Sequence, residues 1–197
     1  MSIEDKIKQI GEEIKKLSSE TSINQPNKWE KPLSEKEVSE FEKKNGIKLP
    51  LDYRKFITTV ASSGNRPFYG LCNILKQEEF HNNVNLKFPF TTKSPFFISD
   101  EDTDKEEEEE KGTDNGYIAL CTEGCGMNCI LIVNTDDTET YGTVWFDDLA
   151  NDFGIAPILN QKTKKPMKFL DWFEYWLDRA LKSPNDDDDF SFGELTI

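Results

Sequence analysis

Near the start of the chain, Ile3, Ile7, Ile10, Ile14 and Leu17 fall on one stripe at helical spacing. This predicts an amphipathic helix over about 2–19, able to pack on the body or to pair with another chain. Residues 20–31 read as a polar linker from which Trp29 turns into the body. A second helical pattern follows Leu33. Ser34 and Glu37 have capping-box spacing, Val38 and Phe41 share a face, and Gly46 stands where a left-handed residue closes the helix. Pro50 opens a third helix, where a missing N–H costs nothing. Tyr53, Phe56, Ile57 and Val60 line one of its faces, and Ser62-Ser63-Gly64 stops it. The two helices thus meet at a Gly-Ile-Lys-Leu-Pro elbow over 46–50.

Downstream the apolar pattern becomes that of strands. Residues 68–75 predict a short strand, with helix or loop to 85, and 96–98 predict another strand. Residues 117–121 and 129–133 read as buried partner strands joined by a glycine-containing connection. A third strand over 140–146 is reached through the turn-forming 134–137. Strands in series at this spacing predict an antiparallel meander. Phe169, Trp172, Phe173, Trp176, Leu177, Ala180 and Leu181 then give a closing helix over 166–182 a wide apolar face, which must lie on the sheet or on the other helices. The residues after Ser183-Pro184 read as a loosely held acidic tail. The fold class is therefore α+β, a mostly antiparallel sheet flanked by helices, with an extra N-terminal helix. The expected division is 1–28 for that helix and linker, 29–182 for the domain, including an acidic loop at 100–116, and 183–197 for the tail.

Charge changes the picture more than length does. The 197 residues suffice for one domain with a core, rich in Phe (14) and Trp (4). The net charge is −14 and the isoelectric point is about 4.6. Nine of the eleven residues over 100–110 are acidic, and self-repulsion predicts a solvated loop there. Such a surface repels phosphate backbones and anionic lipid, so neither nucleic acid nor a membrane is an expected partner. It would attract a basic protein, or simply keep the chain in solution. No apolar run is long enough to cross a bilayer, and the charged N-terminus lacks the apolar stretch of a secretory signal. A cytoplasmic location with reduced cysteines is the expectation.

The chain offers little to catalysis. His81 is its one histidine and lies in a polar segment, EEFHNN, with no nucleophile motif nearby, so a surface role is expected. Cys121, Cys125 and Cys129 are four apart, with Cys72 distant, which is not the close pairing of zinc sites; buried free thiols fit as well. Gly124-Cys125-Gly126 is too short for a phosphate loop and no helix follows it. The pairs Asp136-Asp137 and Asp147-Asp148 and the run 186–189 match no calcium loop, and any acid–base pair would be one choice among 38 carboxylates. No catalytic residue, metal or cofactor is expected.

The elbow, the later strands and the closing helix resemble the SUKH superfamily, the Smi-one/Knr-four type of cell-wall-assembly-regulator homologues. The residues that carry the likeness are Leu33-Ser34-Glu35-Lys36-Glu37-Val38, Phe41-Glu42, Gly46-Ile47 and Leu49-Pro50-Leu51-Asp52-Tyr53-Arg54-Lys55-Phe56. It resumes with Gly70, Ile118-Ala119-Leu120, Tyr141-Gly142-Thr143-Val144-Trp145 and the Phe169/Trp172/Phe173/Trp176 helix. The resemblance implies a non-enzymatic α+β module: in bacteria an immunity protein that binds and neutralises a cognate toxin domain, often a nuclease or deaminase, and in fungi a regulator or scaffold acting through protein contacts. Leu49, Pro50, Tyr53, Phe56, Gly70, Gly142 and Trp145 are its structural motif. An acidic inhibitor suits a basic, nuclease-type toxin, because such a toxin must hold phosphates. Glu101, Asp104, Asp147 and Asp148, expected as exposed carboxylates around the sheet, are the candidate partner-binding residues, with neighbouring aromatics as anchors. Whether the chain is a monomer or a dimer stays open.

Overall fold

A computed structural model describes residues 1–19, 26–80, 83–98, 112–185 and 189–196. Among these, four α-helices pack on a five-stranded antiparallel sheet. The helices are α1 (Ile3–Ser18), α2 (Glu35–Asn45), α3 (Leu51–Thr59) and α4 (Phe169–Lys182). The strands are β1 (Phe96–Phe97), β2 (Tyr117–Gly124), β3 (Met127–Ile132), β4 (Val144–Asp148) and β5 (Gly154–Pro157), in the spatial order β1-β5-β4-β3-β2.

The local signals work as their chemistry requires. Ser34 accepts from the Glu37 amide while the Glu37 carboxylate takes the Ser34 N–H, and Gly46 closes α2 at φ 65°. Glu42 is 5% exposed, and its Oε1 accepts from Leu49 N at 2.9 Å, which fixes the elbow. Asp52 ties two helices together. Its Oδ1 accepts from Tyr53 N at 2.9 Å and its Oδ2 from Leu170 N at 3.3 Å, so one carboxylate serves the amino ends of α3 and α4. Lys168, at the N-cap of α4, makes no side-chain cap of its own.

The meander follows from alternation along the strands. Ile118, Leu120, Cys129, Leu131, Val144 and Phe146 face the helices, where they meet Tyr53, Phe56, Phe169, Trp172, Phe173 and Trp176. Tyr117, Ile130, Ile132, Trp145 and Ile155 form a smaller cluster on the opposite face, covered by Phe88, Phe90 and Leu149. Helix α1 buries Ile10, Ile14 and Leu17 in the main core, and its Lys6 pairs with Asp171 at 2.9 Å and Glu174 at 2.7 Å on α4. Trp29 meets Phe173 and Trp176 edge-on.

The outer edge of β2 is partly closed by a side chain. Gln77 accepts from Ala119 N at 2.8 Å and donates to Ala119 O at 3.4 Å, as a neighbouring strand would. Gln77→Leu strands both groups where Ala119 is 2% exposed. It is expected to cost about 2–4 kcal/mol in urea unfolding.

Three expectations need correction. Residues 68–75 are not a strand: the chain turns at Phe68–Gly70 and enters a 3-10 helix at Ile74–Phe80, lending only Tyr69 N and Cys72 N to the edge of β2. Residues 138–142 are a turn, Thr143 bridges to Lys168 and the strand begins at Val144, because Asp137 takes both the amide and the hydroxyl of Thr140. The acidic tail is not loose at its end. Phe192 is fully buried, Leu195 is 6% exposed, and Leu159 N donates to Leu195 O at 2.8 Å. Strand β5 was not expected.

Candidate interaction surface

One end of the sheet gathers the β2–β3 turn, the β4–β5 connection and the end of β1. Gly126 is left-handed (φ 86°), and a Cβ there would stand 2.3 Å from Ala150 Cβ, so the two turns touch only because position 126 is glycine. Asn151 joins them by donating its amide to Cys125 O at 3.0 Å and to the Asp148 carboxylate. Tyr69 lies against Gly124 at one flank. At the other, Phe97 meets Phe153 at 5.4 Å between ring centres. Cys125, Ala150, Asn151 and Asp152 are exposed along this end.

The electrostatics of this region are one-sided. All 24 Lys and Arg lie outside residues 112–161, and so does the one histidine, so the span that builds β2 to β5 holds no cation. Among the described residues, ion pairs reach Asp136 from Lys87 and Glu139 from Lys93, at the opposite end of the sheet, and none reaches Glu123, Asp147, Asp148 or Asp152.

Asp147 and Asp148 are half-buried rather than open. On β4 they point to opposite faces, Asp147 to that of Trp145 and Asp148 to that of Phe146. Burial pushes the Asp147 carboxyl up to about 6 and the Asp148 charge adds to the rise, against hydrogen bonds from Leu149 N and Asn128. Glu123 is also pushed up, chiefly by burial, although it accepts from Phe192 N at 3.0 Å and from the Cys129 thiol at 3.6 Å. Glu101, Asp104 and His81 lie outside the described residues.

The Asp147 charge has a consequence for stability. A carboxyl whose folded value is raised opposes folding when ionised; that cost is complete above about pH 6 and disappears as the pH falls towards its ordinary value. Asp147→Asn is therefore expected to gain about 2–3 kcal/mol at pH 7 and nothing measurable below pH 4, read by urea unfolding at the two pH values.

The cysteines form no disulfide, with Cys121 and Cys129 buried as cross-strand partners, Cys72 half-buried and Cys125 exposed. Burial, with Cys121 beside it, raises the Cys129 thiol well above the usual range. Among the described residues no three His, Cys, Asp or Glu side chains come together as a metal site, and no helix is long and apolar enough to cross a membrane.

The elbow, the antiparallel meander and the closing aromatic helix together define an α+β module. The model described as the SMI1 / KNR4 family (SUKH-1) matches residues 32–178, and the chain belongs to that family. Members are generally non-enzymatic modules of immunity or regulatory type that act through protein interactions. No curated protein matches the chain. The matched span holds the elbow, the sheet and nearly all of α4; helix α1 and the buried end of the tail lie outside it.

The motif residues take structural places. Leu49, Tyr53, Phe56 and Trp145 are buried; Pro50 precedes α3; Gly70 and Gly142 have positive φ. Sequence reasoning did not single out Tyr69, Phe97 or Asp152, which the structure places along this end of the sheet. The missing cations between 112 and 161 could have pointed to this end of the sheet.

Proposed function

We propose that this chain is a non-enzymatic immunity protein that binds a basic toxin domain, of nuclease type, and neutralises it by covering its surface. Family membership supports a protein-binding module. The observation that carries the rest is the cation-free end of the sheet, where Asp147, Asp148 and Asp152 meet no Lys or Arg among the described residues. A toxin that grips phosphates presents the opposite charge, and the two surfaces would steer each other together. Asp147 and Asp148 contribute directly, and Glu101 and Asp104 extend the same charge along the chain. The partner would meet the charge of Asp147 with a cation, returning the carboxyl towards its ordinary range.

The test is calorimetric titration of the chain with the toxin domain encoded beside its gene, at low and high salt. Tight binding is expected, with affinity weakened about tenfold or more between 0.05 M and 0.5 M salt. Salt-insensitive binding would remove the electrostatic part of the reading, and no binding would remove the function.

A further inference from the structure

An immunity protein must seat its toxin somewhere in particular, and the sheet end offers one place. Resting on the function proposed above, we propose that the toxin docks across the ridge running from Tyr69 to Phe97, with these two aromatic rings as anchors and Asp148 and Asp152 meeting Lys or Arg side chains between them. The ridge is continuous. Tyr69 covers Gly124, with the ring 3.0 Å from where a Cβ would stand; the Gly126 turn touches Ala150; Asn151 bonds Cys125 O; and Phe153 carries Phe97.

Both rings are open to solvent, Tyr69 at 76% and Phe97 at 43% exposure. Exposed aromatics on a rigid scaffold are the side chains that most often carry binding energy. Here each is braced by backbone or by another ring, so little side-chain freedom is lost on docking. The other large exposed apolar side chains lie elsewhere: Met1, Leu51 and Leu75 line other grooves, and Leu86 bonds Asn83 beside the opposite end of β2.

The charge selects the occupant. Asp148 and Asp152 stand between the rings with no cation from residues 112–161, and positive charge returns at the Tyr69 flank, where Tyr69 shares a groove with Lys28 and Lys76. A partner that fits therefore presents Lys or Arg flanked by apolar sockets spaced for the two rings. A second copy of this chain would bring a further net charge of −14 against the ridge, so self-association is disfavoured.

The probe is the toxin domain encoded by the adjacent gene, titrated against the full chain and four surface variants. Tyr69→Ala and Phe97→Ala are each expected to weaken binding by about tenfold or more, mostly through faster dissociation. Asp152→Lys is expected to weaken it by a similar factor. Glu12→Lys, which makes the same change in net charge on the exposed face of α1, should leave dissociation unchanged and slow association only slightly. Alkylation of the exposed Cys125 by iodoacetamide should slow when the toxin is bound.

If the toxin binds the wild type but all three ridge variants bind as well as it does, the ridge assignment fails while the immunity reading stands. Equal effects of Asp152→Lys and Glu12→Lys would reduce the ridge's charge to long-range steering and overturn the direct contact. If no toxin binds the wild type, the reading beneath the proposal fails first. A free chain that is dimeric and becomes monomeric on Phe97→Ala would assign the ridge to self-association instead.

Discussion

Replacing Trp172 by alanine is expected to destabilise the fold by about 3–5 kcal/mol, a large share of the stability of an ordinary domain. Trp172 has no exposed surface. It sits on α4 against Phe169, Phe173 and Phe192, with ring centres 5.3–6.3 Å apart. Removing the indole opens a cavity that α4 cannot close by sliding. Its amino end is held by Asp52 through Leu170 N, and its outer face is tied to α1 by Lys6. Urea unfolding followed by tryptophan fluorescence reads the loss. A cost under about 1 kcal/mol would mean that the aromatic layer repacks freely and does not hold α4 on the sheet.

The second large effect is expected at the far end of the chain. Phe192→Ala should cost about 3–5 kcal/mol, although the residue belongs to a segment that reads as a polar tail. Phe192 is fully buried between Phe68, Trp172, Tyr175 and Phe190, and its amide donates to the Glu123 carboxylate at 3.0 Å. The 3-10 turn Phe192–Leu195 thus straps the core from β2 to the residues after β5, with Gly193 against the Phe146 ring. Trp172 and Phe192 share one contact, so the double variant should cost less than the two single losses added, by about 0.5–1.5 kcal/mol. Strict additivity would show that the strap and α4 are energetically separate.

The strap also shows where the sequence stopped being legible. NDDDDFSFGELTI has four consecutive aspartates and two phenylalanines two apart, a single strand-like spacing too short to predict an element. What buries Phe192 is a slot made by residues far off in the chain, and no local pattern announces such a slot. Strand β5 was hidden similarly: Gly154-Ile155-Ala156-Pro157 is four residues long and holds a proline, which a strand tolerates only where its missing N–H is not needed.

The elbow was legible because every signal in it is local. A capping box, a left-handed glycine and a proline ahead of α3 act within a few residues of one another, and the structure places them as expected. The meander was legible because Tyr117–Cys121 and Cys129–Ile132 are apolar runs joined by one short connection, and they pair despite a register shift between Ala119 and Cys121. The candidate surface was legible only as charge. Asp147 and Asp148 stood out as a pair in the sequence, but only the pleat of β4 sends them to opposite faces, and only tertiary packing braces Tyr69 and Phe97 beside them.

Whether this molecule acts by occluding a basic toxin is read most directly from the nuclease activity of the adjacent-gene toxin domain as the purified chain is added. Complete inhibition at about one chain per toxin, relieved as salt rises, is the predicted result. A toxin that keeps its full activity at saturating amounts of a folded chain would contradict it.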